Sequence, residues 1–292
     1  MTVTERPAWV DDELFPFESR FIDIDGHRVH YLDEGSGPTL LFLHGNPTWS
    51  FDYSKVIESL RSEFRCVAVD YPGFGLSVAA PGYKYLPTEH AEVIDRFVEA
   101  HELSGATLVG HDWGGPIGLA TVQNRPAAFD RLVLTNTWAW PVGDPLVQIM
   151  SHVMGSPPGR LLIRQLNLFV NVMIPIGHRL TKPTSGQMAH YQKALDSPER
   201  REASAVFPRE ITSSRAFLAD IEAGLADIAA LPTLIIWGDA DFAFGNNELR
   251  RWEQTFTDHE TVIVNGAGHF VPSDAPEQFA AAIRRWHSPS GA

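Results

Sequence analysis

Apolar residues recur along the chain in two patterns, and the two patterns alternate. Short uninterrupted apolar runs, as at residues 39–43 and 106–109, are typical of buried strands covered on both faces. Between the runs lie segments whose apolar residues share one helical face, as in residues 93–98. This βαβα order predicts a largely parallel sheet with helices packed against it.

The two ends of the chain depart from this alternation. Residues 21–24 and 28–32 alternate apolar and polar side chains around the turn dipeptide Asp25-Gly26, which predicts a β-hairpin and hence an antiparallel edge. After a closing helix predicted at residues 276–286, residues 288–292 are expected to form a loose tail.

A long segment interrupts the alternation between the strands predicted at residues 132–136 and 232–237. It is rich in Met, Pro and aromatic residues at helical spacing, and its length of about 85 residues exceeds an ordinary connection between elements. We therefore predict a core domain of residues 1–137 and 224–292 and a helical cap domain of residues 138–223.

Composition and charge restrict the partners. With 44% hydrophobic residues the chain can bury a sizeable core, and its net charge of −13 argues against nucleic-acid binding. No apolar run reaches the length of about 18 residues that a membrane span needs. Residues 11–15 are acidic and aromatic, which is unlike a secretory signal, and the single cysteine, Cys66, cannot form an internal disulfide. We expect a cytoplasmic protein with small-molecule partners.

The most informative stretch is Gly-His-Asp-Trp-Gly-Gly at residues 110–115, between a predicted strand and a predicted helix. In the G-x-S-x-G elbow of α/β-hydrolases, small residues flank a nucleophile held at a sharp turn. Here the central residue is Asp112. A carboxylate is ionised at neutral pH and can attack carbon without prior deprotonation, although an ordinary helix-capping aspartate is the simpler alternative.

Two further residues follow strands in the order nucleophile, acid, histidine that α/β-hydrolases use. His269, in a loop of small residues, is the candidate general base, and Asp241 is our choice for the carboxylate that orients it. Asp239 remains a rival acid, and a turn-capping role would explain either aspartate. Asn136 also follows a strand, but a neutral amide cannot stabilise an imidazolium by charge, so we expect a structural role.

We expect two side-chain N–H donors to lie beside Asp112: the indole of Trp113 and the amide of Asn46. Both donate without adding net charge, which suits a departing halide in a dry pocket. Core packing would explain Trp113 alone, and a turn before Pro47 would explain Asn46 alone. Their convergence on one aspartate favours halide stabilisation.

Four motifs together carry a resemblance to a known family. His-Gly-Asn-Pro-Thr-Trp at residues 44–49, the stretch at 110–115, Trp-Gly-Asp-Ala-Asp at 237–241 and Gly-Ala-Gly-His-Phe at 266–270 resemble the haloalkane dehalogenases over nearly the whole chain. The resemblance implies an α/β-hydrolase fold: a mostly parallel eight-stranded sheet with helices on both faces and an inserted helical cap.

The resemblance also implies roles for individual residues. Asp112 matches the nucleophile, His269 the base and Asp241 the supporting acid, while Asn46 and Trp113 match the halide-stabilising pair. One branch of the family places a glutamate where this chain has Asn136. The chain looks like the other branch, subfamily III, whose members often self-associate, so a homo-oligomer is expected.

The resulting hypothesis is hydrolysis of a small apolar haloalkane by water, giving a primary alcohol and a halide ion through an alkyl ester on Asp112. It requires no metal or organic cofactor. Epoxide hydrolysis by the same nucleophile is the alternative, but it needs acid donors from the cap, for which Tyr191 is the one candidate. A non-catalytic binding protein on the same scaffold is disfavoured because all three triad members are present.

Overall fold

The computed structural model describes residues 6–288, so residues 289–292 of the predicted tail lie outside the described residues. One sheet contains the eight strands β1 (Arg20–Ile24), β2 (His27–Glu34), β3 (Thr39–Leu43), β4 (Arg65–Val69), β5 (Ala106–His111), β6 (Phe129–Thr135), β7 (Thr233–Gly238) and β8 (His259–Val264). Their spatial order is β1-β2-β4-β3-β5-β6-β7-β8.

Strand directions agree with the sequence patterns. The pairs β1–β2 and β2–β4 are antiparallel, and every other neighbouring pair of these strands is parallel. Asp25 and Gly26 join β1 to β2 with φ of 50° and 82°, the positive values that a two-residue hairpin turn requires. The predicted fold class is therefore confirmed.

Helices connect and cover the strands. They are α1 (Ser54–Leu60), α2 (Pro87–Ala100), α3 (Gly114–Asn124), α4 (Pro145–Gly155), α5 (Pro157–Leu166), α6 (Ile174–Gly177), α7 (Ser185–Ala194), α8 (Glu202–Ser213), α9 (Arg215–Ile228), α10 (Asn246–Thr255), α11 (Val271–Asp274) and α12 (Pro276–His287). Among the described residues, each helix is too short or too polar to cross a membrane.

The sheet separates two hydrophobic cores because successive side chains of a strand point to opposite faces. Leu41 and Leu43 of β3 pack in one core with residues of α2, α3, α9 and α10. Leu40 and Phe42 of the same strand pack in the other core with residues of α1 and α12. Each fully buried side chain of this kind contributes about 1.5–3 kcal/mol to stability. Burial on both faces explains the uninterrupted apolar runs.

Helices α4 to α9 all lie between β6 and β7 in the chain, where the insertion was expected. Helix α8 packs against α4 and α5, whereas α9 packs against α3, next to the sheet. Helix α9 also runs across the predicted domain boundary at residues 223–224 without a break. The division into core and cap domains stays a prediction.

Candidate active site

Asp112 lies at the turn between β5 and α3. Its φ of 49° is in the left-handed region, which a residue with a side chain rarely adopts. A Cβ on Gly114 would overlap the carbonyl oxygen of Leu43, and one on Gly115 would overlap the hydroxyl of Thr137. The flanking glycines therefore allow the sharp bend that raises Asp112 above the end of the sheet.

The Asp112 carboxylate is buried and held by backbone donors. Its Oδ2 accepts a hydrogen bond from the Asn46 N–H at 2.8 Å, and a Cβ on Gly45 would collide with the same carboxylate. Burial raises the pKa of Asp112 to about 6, although the nearby charge of His269 and the backbone N–H groups of Asn46 and Trp113 oppose the shift. The group is still mostly ionised at neutral pH.

His269 and Asp241 form a hydrogen-bonded pair beside the nucleophile. His269 Nδ1 lies 3.0 Å from Asp241 Oδ2, and because a carboxylate accepts, Nδ1 is the donor and Nε2 is left for a reactant. Burial alone would lower the pKa of His269, but the charge and hydrogen bond of Asp241, together with the charge of Asp112, raise it to about 9. The pair is therefore arranged to stabilise an imidazolium.

Asn136 bonds Asp241, which agrees with the structural role expected for this amide, although the sequence did not reveal its partner. Its side-chain N–H donates to Asp241 Oδ2 at 2.8 Å and to the Gly238 carbonyl at 3.1 Å, while its Oδ1 accepts from the Gly238 N–H at 2.9 Å. Burial would raise the pKa of Asp241, but His269, the Ala243 N–H and the Asn136 amide lower it overall. A polar amide at the end of a buried strand was the only available signal.

The rival acid has a different position. Asp239 Oδ1 accepts a hydrogen bond from the Gly266 N–H at 2.6 Å, which joins the loops after β7 and β8. Its bond is with the backbone of the loop that carries His269, whereas the imidazole bonds Asp241. Asp239 thus bonds the loop backbone and Asp241 bonds the imidazole, which favours Asp241 as the acid; the choice stays a prediction.

This difference predicts distinct effects for two matched substitutions. Asp241→Asn keeps the side-chain volume but removes the charge opposite the imidazolium, so we expect hydrolysis of a covalent intermediate to slow about a hundredfold or more. Asp239→Asn should lower the melting temperature and leave that rate close to wild type. Single-turnover measurement of alcohol formation checks both, and equal slowing in the two variants would contradict the assignment.

The two proposed halide donors flank the carboxylate. The Trp113 ring is 2% exposed and lies between Trp138, at 4.7 Å between ring centroids, and Phe207 of α8, at 4.9 Å. The Asn46 amide donates to the Ser204 carbonyl, also in α8, at a long 3.4 Å. The inserted helices thus reach both donors, and the weak contact leaves the amide available for a ligand.

The structure brings Asp112, His269, Asp241, Asn46 and Trp113 to the carboxyl ends of the parallel strands. In α/β sheets, this edge is where ligands bind. Tyr191, the candidate acid donor of the epoxide alternative, is instead engaged elsewhere: its hydroxyl donates to the buried carboxylate of Asp52 at 3.1 Å.

Comparison with known proteins identifies the family. An α/β hydrolase fold family model matches residues 38–276. Haloalkane dehalogenase 2 of Mycobacterium tuberculosis is 44% identical over 277 residues, covering 94% of this chain and 96% of the relative. A cis-3-alkyl-4-alkyloxetan-2-one decarboxylase of Shewanella oneidensis is 28% identical, covering 94% and 90%.

A solved structure supports the fold. The haloalkane dehalogenase DatA of Agrobacterium tumefaciens superposes with a TM-score of 0.85 at 24% identity, covering 95% of this chain and 98% of that one. The resemblance predicted from the four motifs is therefore confirmed. Because the Mycobacterium relative is 44% identical over nearly the full length of both chains, this protein belongs to the haloalkane dehalogenases of the α/β hydrolase fold.

Proposed function

We propose that this protein hydrolyses haloalkanes to primary alcohols and halide ions through an alkyl ester of Asp112. The observation that carries the proposal is a buried carboxylate at the elbow, next to the hydrogen-bonded His269–Asp241 pair. A carboxylate in this position forms a carbon–oxygen bond directly, and a histidine-activated water can then break the resulting ester.

In the first step, an oxygen of Asp112 attacks the halogen-bearing carbon from the side opposite the halogen. The new C–O bond forms as the carbon–halogen bond breaks, and the bonding electron pair leaves with the halide. The side-chain N–H groups of Asn46 and Trp113 donate to the departing ion. Their placement beside the buried Asp112 supports this role because hydrogen bonds to developing charge are strongest where water is excluded.

In the second step, His269 Nε2 removes a proton from water and the resulting hydroxide attacks the ester carbonyl carbon. The acyl C–O bond then breaks, and the departing oxygen takes the proton from His269 and leaves as the alcohol. The new carboxyl group loses its proton, which restores the Asp112 carboxylate. One proton and one halide ion are released in the full cycle. The backbone N–H groups of Asn46 and Trp113, which already stabilise the Asp112 carboxylate, are suited to hold the oxyanion.

Formation of the ester lowers the pKa of the proposed base, His269. The charge of Asp112 is one of the causes that raise the pKa of His269 to about 9. An ester carries no charge, so the pKa of His269 falls once Asp112 is alkylated. Loss of this charge shifts the imidazole towards its neutral form at the stage at which a base is required.

The pH dependence of the first step follows from the raised pKa of Asp112. The protonated carboxyl does not attack carbon, so we expect the rate of halide release in the first turnover to fall about tenfold for each unit of pH below about 6. An ordinary aspartate would remain active to about pH 4. Rapid-quench measurement of the halide burst checks this, and a burst rate that is flat down to about pH 4 contradicts it.

A matched pair of tryptophans tests the halide donors. Trp113→Phe removes the indole N–H but keeps an aromatic ring against Trp138 and Phe207, so we expect kcat/KM for bromoalkanes to fall about ten- to a hundredfold. Trp140→Phe is the control because this ring packs against Trp252, at 4.7 Å between centroids, away from these contacts. Equal losses in the two variants, measured as initial rates of bromide release, would argue against halide stabilisation by Trp113.

Epoxide hydrolysis is not favoured as the activity. It needs a hydroxyl donor to the opening oxygen, and the Tyr191 hydroxyl is already bonded to Asp52. A panel of 1-bromo-, 1-iodo- and 1-chloroalkanes assayed for free halide, beside epoxides assayed for diol, tests the proposal. We expect halide from the alkanes; diol formation without halide release would overturn it.

Contacts between the inserted helices and the site support a role for these helices as a cap. Ser204 of α8 contacts Asn46 and Phe207 of α8 contacts Trp113, so α8 packs against both proposed halide donors. We propose that the cap domain of residues 138–223 excludes bulk water and shapes a cavity for a small apolar substrate. Halide ions and water are the other small molecules that this cavity would bind. The cytoplasmic location expected from the sequence stays a prediction.

Self-association also stays a prediction, with one feature in its favour. Helix α4 exposes an apolar face at a spacing of three and four residues, with exposed fractions of 48–76% at Leu146, Ile149, Met150 and Val153. Exposed apolar surface of this kind marks an interaction site in many proteins.

A further inference from the structure

Asp52 is a buried carboxyl group that the proposed mechanism does not use. It lies in a single 3-10 turn, Ser50–Tyr53, between β3 and α1, and it is 1% exposed. Its Oδ1 accepts hydrogen bonds from the hydroxyls of Tyr191 in α7, at 3.1 Å, and Ser273 in α11, at 2.6 Å. Burying a carboxyl group is costly, so its retention here calls for a role.

The first connection from Asp52 to the base runs through Ser273. This serine belongs to α11, which begins two residues after His269. Its hydroxyl contacts both Asp52 Oδ1 and His178 Nε2, the latter at 2.8 Å. Asp52 therefore anchors the segment from His269 to Ser273 at its Ser273 end. Its bond with Tyr191 connects that segment to the inserted helices.

The second connection runs through His111. Its Nε2 donates to the carbonyl oxygen of His269 at 2.8 Å, and burial lowers the pKa of His111 to about 3, so the ring is neutral and its Nδ1 presents a lone pair. That Nδ1 lies 3.8 Å from Asp52 Oδ2, which is longer than a hydrogen bond, and neither atom has a hydrogen-bond partner among the described residues. An O–H or N–H on this side of residue 52 would remove the repulsion between the two facing lone pairs.

The nucleophile is anchored independently of Asp52. The Asp112 N–H donates to the Asn136 carbonyl at 3.2 Å, and the Thr137 hydroxyl donates to the Asp112 carbonyl at 2.6 Å. The glycines of the elbow leave the turn little room to shift. Loss of the Asp52 contacts should therefore displace the base more than the nucleophile.

We propose that Asp52 is a positioning residue for the second half of the reaction, which holds His269 in place through the hydrogen bond that it accepts from Ser273 and its contact with His111. The proposal rests on the proposed function, because it assigns His269 to ester hydrolysis. It requires the hydrogen-bonding pattern of residue 52 rather than a negative charge. Burial also raises the pKa of Asp52, although Ser273, His178, Tyr191 and His269 oppose the shift.

Asp52→Leu and Asp52→Asn together test this role. Leu removes all hydrogen bonds while keeping a branched side chain, whereas Asn is of nearly the same volume as Asp, keeps an acceptor for Ser273 and Tyr191 and offers an N–H towards His111. In single turnover with a 1-bromoalkane, we expect Asp52→Leu to slow alcohol formation about tenfold or more and to leave the bromide burst within about twofold of wild type. Asp52→Asn should stay close to wild type in both rates.

Asp70→Asn is the matched control. Asp70 is also completely buried and hydrogen-bonded to a histidine, His30, at 2.7 Å, but it makes no contact with His111 or Ser273 among the hydrogen bonds of the described residues. We expect this variant to lose thermal stability without changing the ratio of the two rates. A general loss of packing would lower thermal stability without changing the ratio of alcohol formation to the bromide burst. This ratio therefore distinguishes a positioning role from a contribution to stability.

Two results would overturn the inference: Asp52→Leu slowing the bromide burst and alcohol formation equally, or Asp52→Asn being as slow as Asp52→Leu. If Asp52→Leu does not fold, Ser273→Ala replaces it; slower alcohol formation with an unchanged burst supports the role, and unchanged rates contradict it. A wild-type enzyme that releases no bromide would instead refute the proposed function, so the two failures are distinguishable.

Discussion

Replacing His269 by Gln stops the reaction at the alkyl ester, with about one bromide ion released per enzyme molecule and no alcohol formed. The reason is that Asp112 can still attack carbon, but the group that activates water is lost. Gln keeps a donor towards Asp241. Mass spectrometry of the intact protein and of the peptide containing Asp112 should then reveal one added alkyl group.

The control for this variant is His190→Gln. His190 is equally buried, at 2% exposure, but it stacks on Phe51, at 4.5 Å between ring centroids, and accepts from the Asp11 N–H. We expect repeated turnover and no adduct in the control. Sustained bromide release by His269→Gln at the wild-type rate would remove His269 from the mechanism.

Replacing Asp112 by Ala abolishes halide release, with an expected loss of about ten-thousandfold or more in kcat/KM. The carboxylate supplies the atom that bonds to carbon, so no neighbouring group can take over its role. Free halide measured from a 1-bromoalkane checks this, together with a melting curve to establish that the variant folds.

Glu210→Gln is a suitable control for the loss of a buried carboxylate. Glu210 in α8 has the same 8% exposure as Asp112 and is hydrogen-bonded to the Ser214 hydroxyl at 2.6 Å. We expect its activity to remain near wild type. If Asp112→Ala kept halide release within about tenfold of wild type, direct displacement by Asp112 would be excluded.

Much of the fold is predictable from the sequence because the relevant forces are local. The central strands are buried on both faces, so segments such as residues 39–43 carry no polar side chain that interrupts the run. The Asp25-Gly26 turn combines two residues that tolerate positive φ, which indicates a hairpin without tertiary information. The glycines around Asp112 likewise mark a turn in which a Cβ would collide with neighbouring atoms.

Other features depend on contacts between segments that are distant in sequence, so the local sequence does not indicate them. The choice between Asp239 and Asp241 depends on the path of one loop, since both aspartates follow β7 within three residues. Helix α9 crosses the predicted boundary at residues 223–224 although Gly224 stands there, since a Cβ at this position would lie 2.7 Å from the Gln123 side chain and the glycine thus marks close packing rather than a helix end.

The burial of Asp52 is the clearest case of this limit. An aspartate by itself indicates an exposed position, but the partners of Asp52 are Tyr191, Ser273 and His111, which lie from about 60 to more than 200 residues along the chain. Only the folded chain brings them together. Asn136 is similar, because its bond to Asp241 spans 105 positions.

The most direct test of the covalent mechanism is single-turnover hydrolysis in water enriched in ¹⁸O, with enzyme in excess over a 1-bromoalkane. If water attacks the carbonyl carbon of an Asp112 ester, the heavy oxygen enters the Asp112 carboxylate, and the alcohol keeps an oxygen that came from the enzyme. Mass spectrometry of the peptide containing Asp112 should therefore gain one ¹⁸O atom. An unlabelled peptide, with ¹⁸O in the alcohol from the first turnover, would contradict the account.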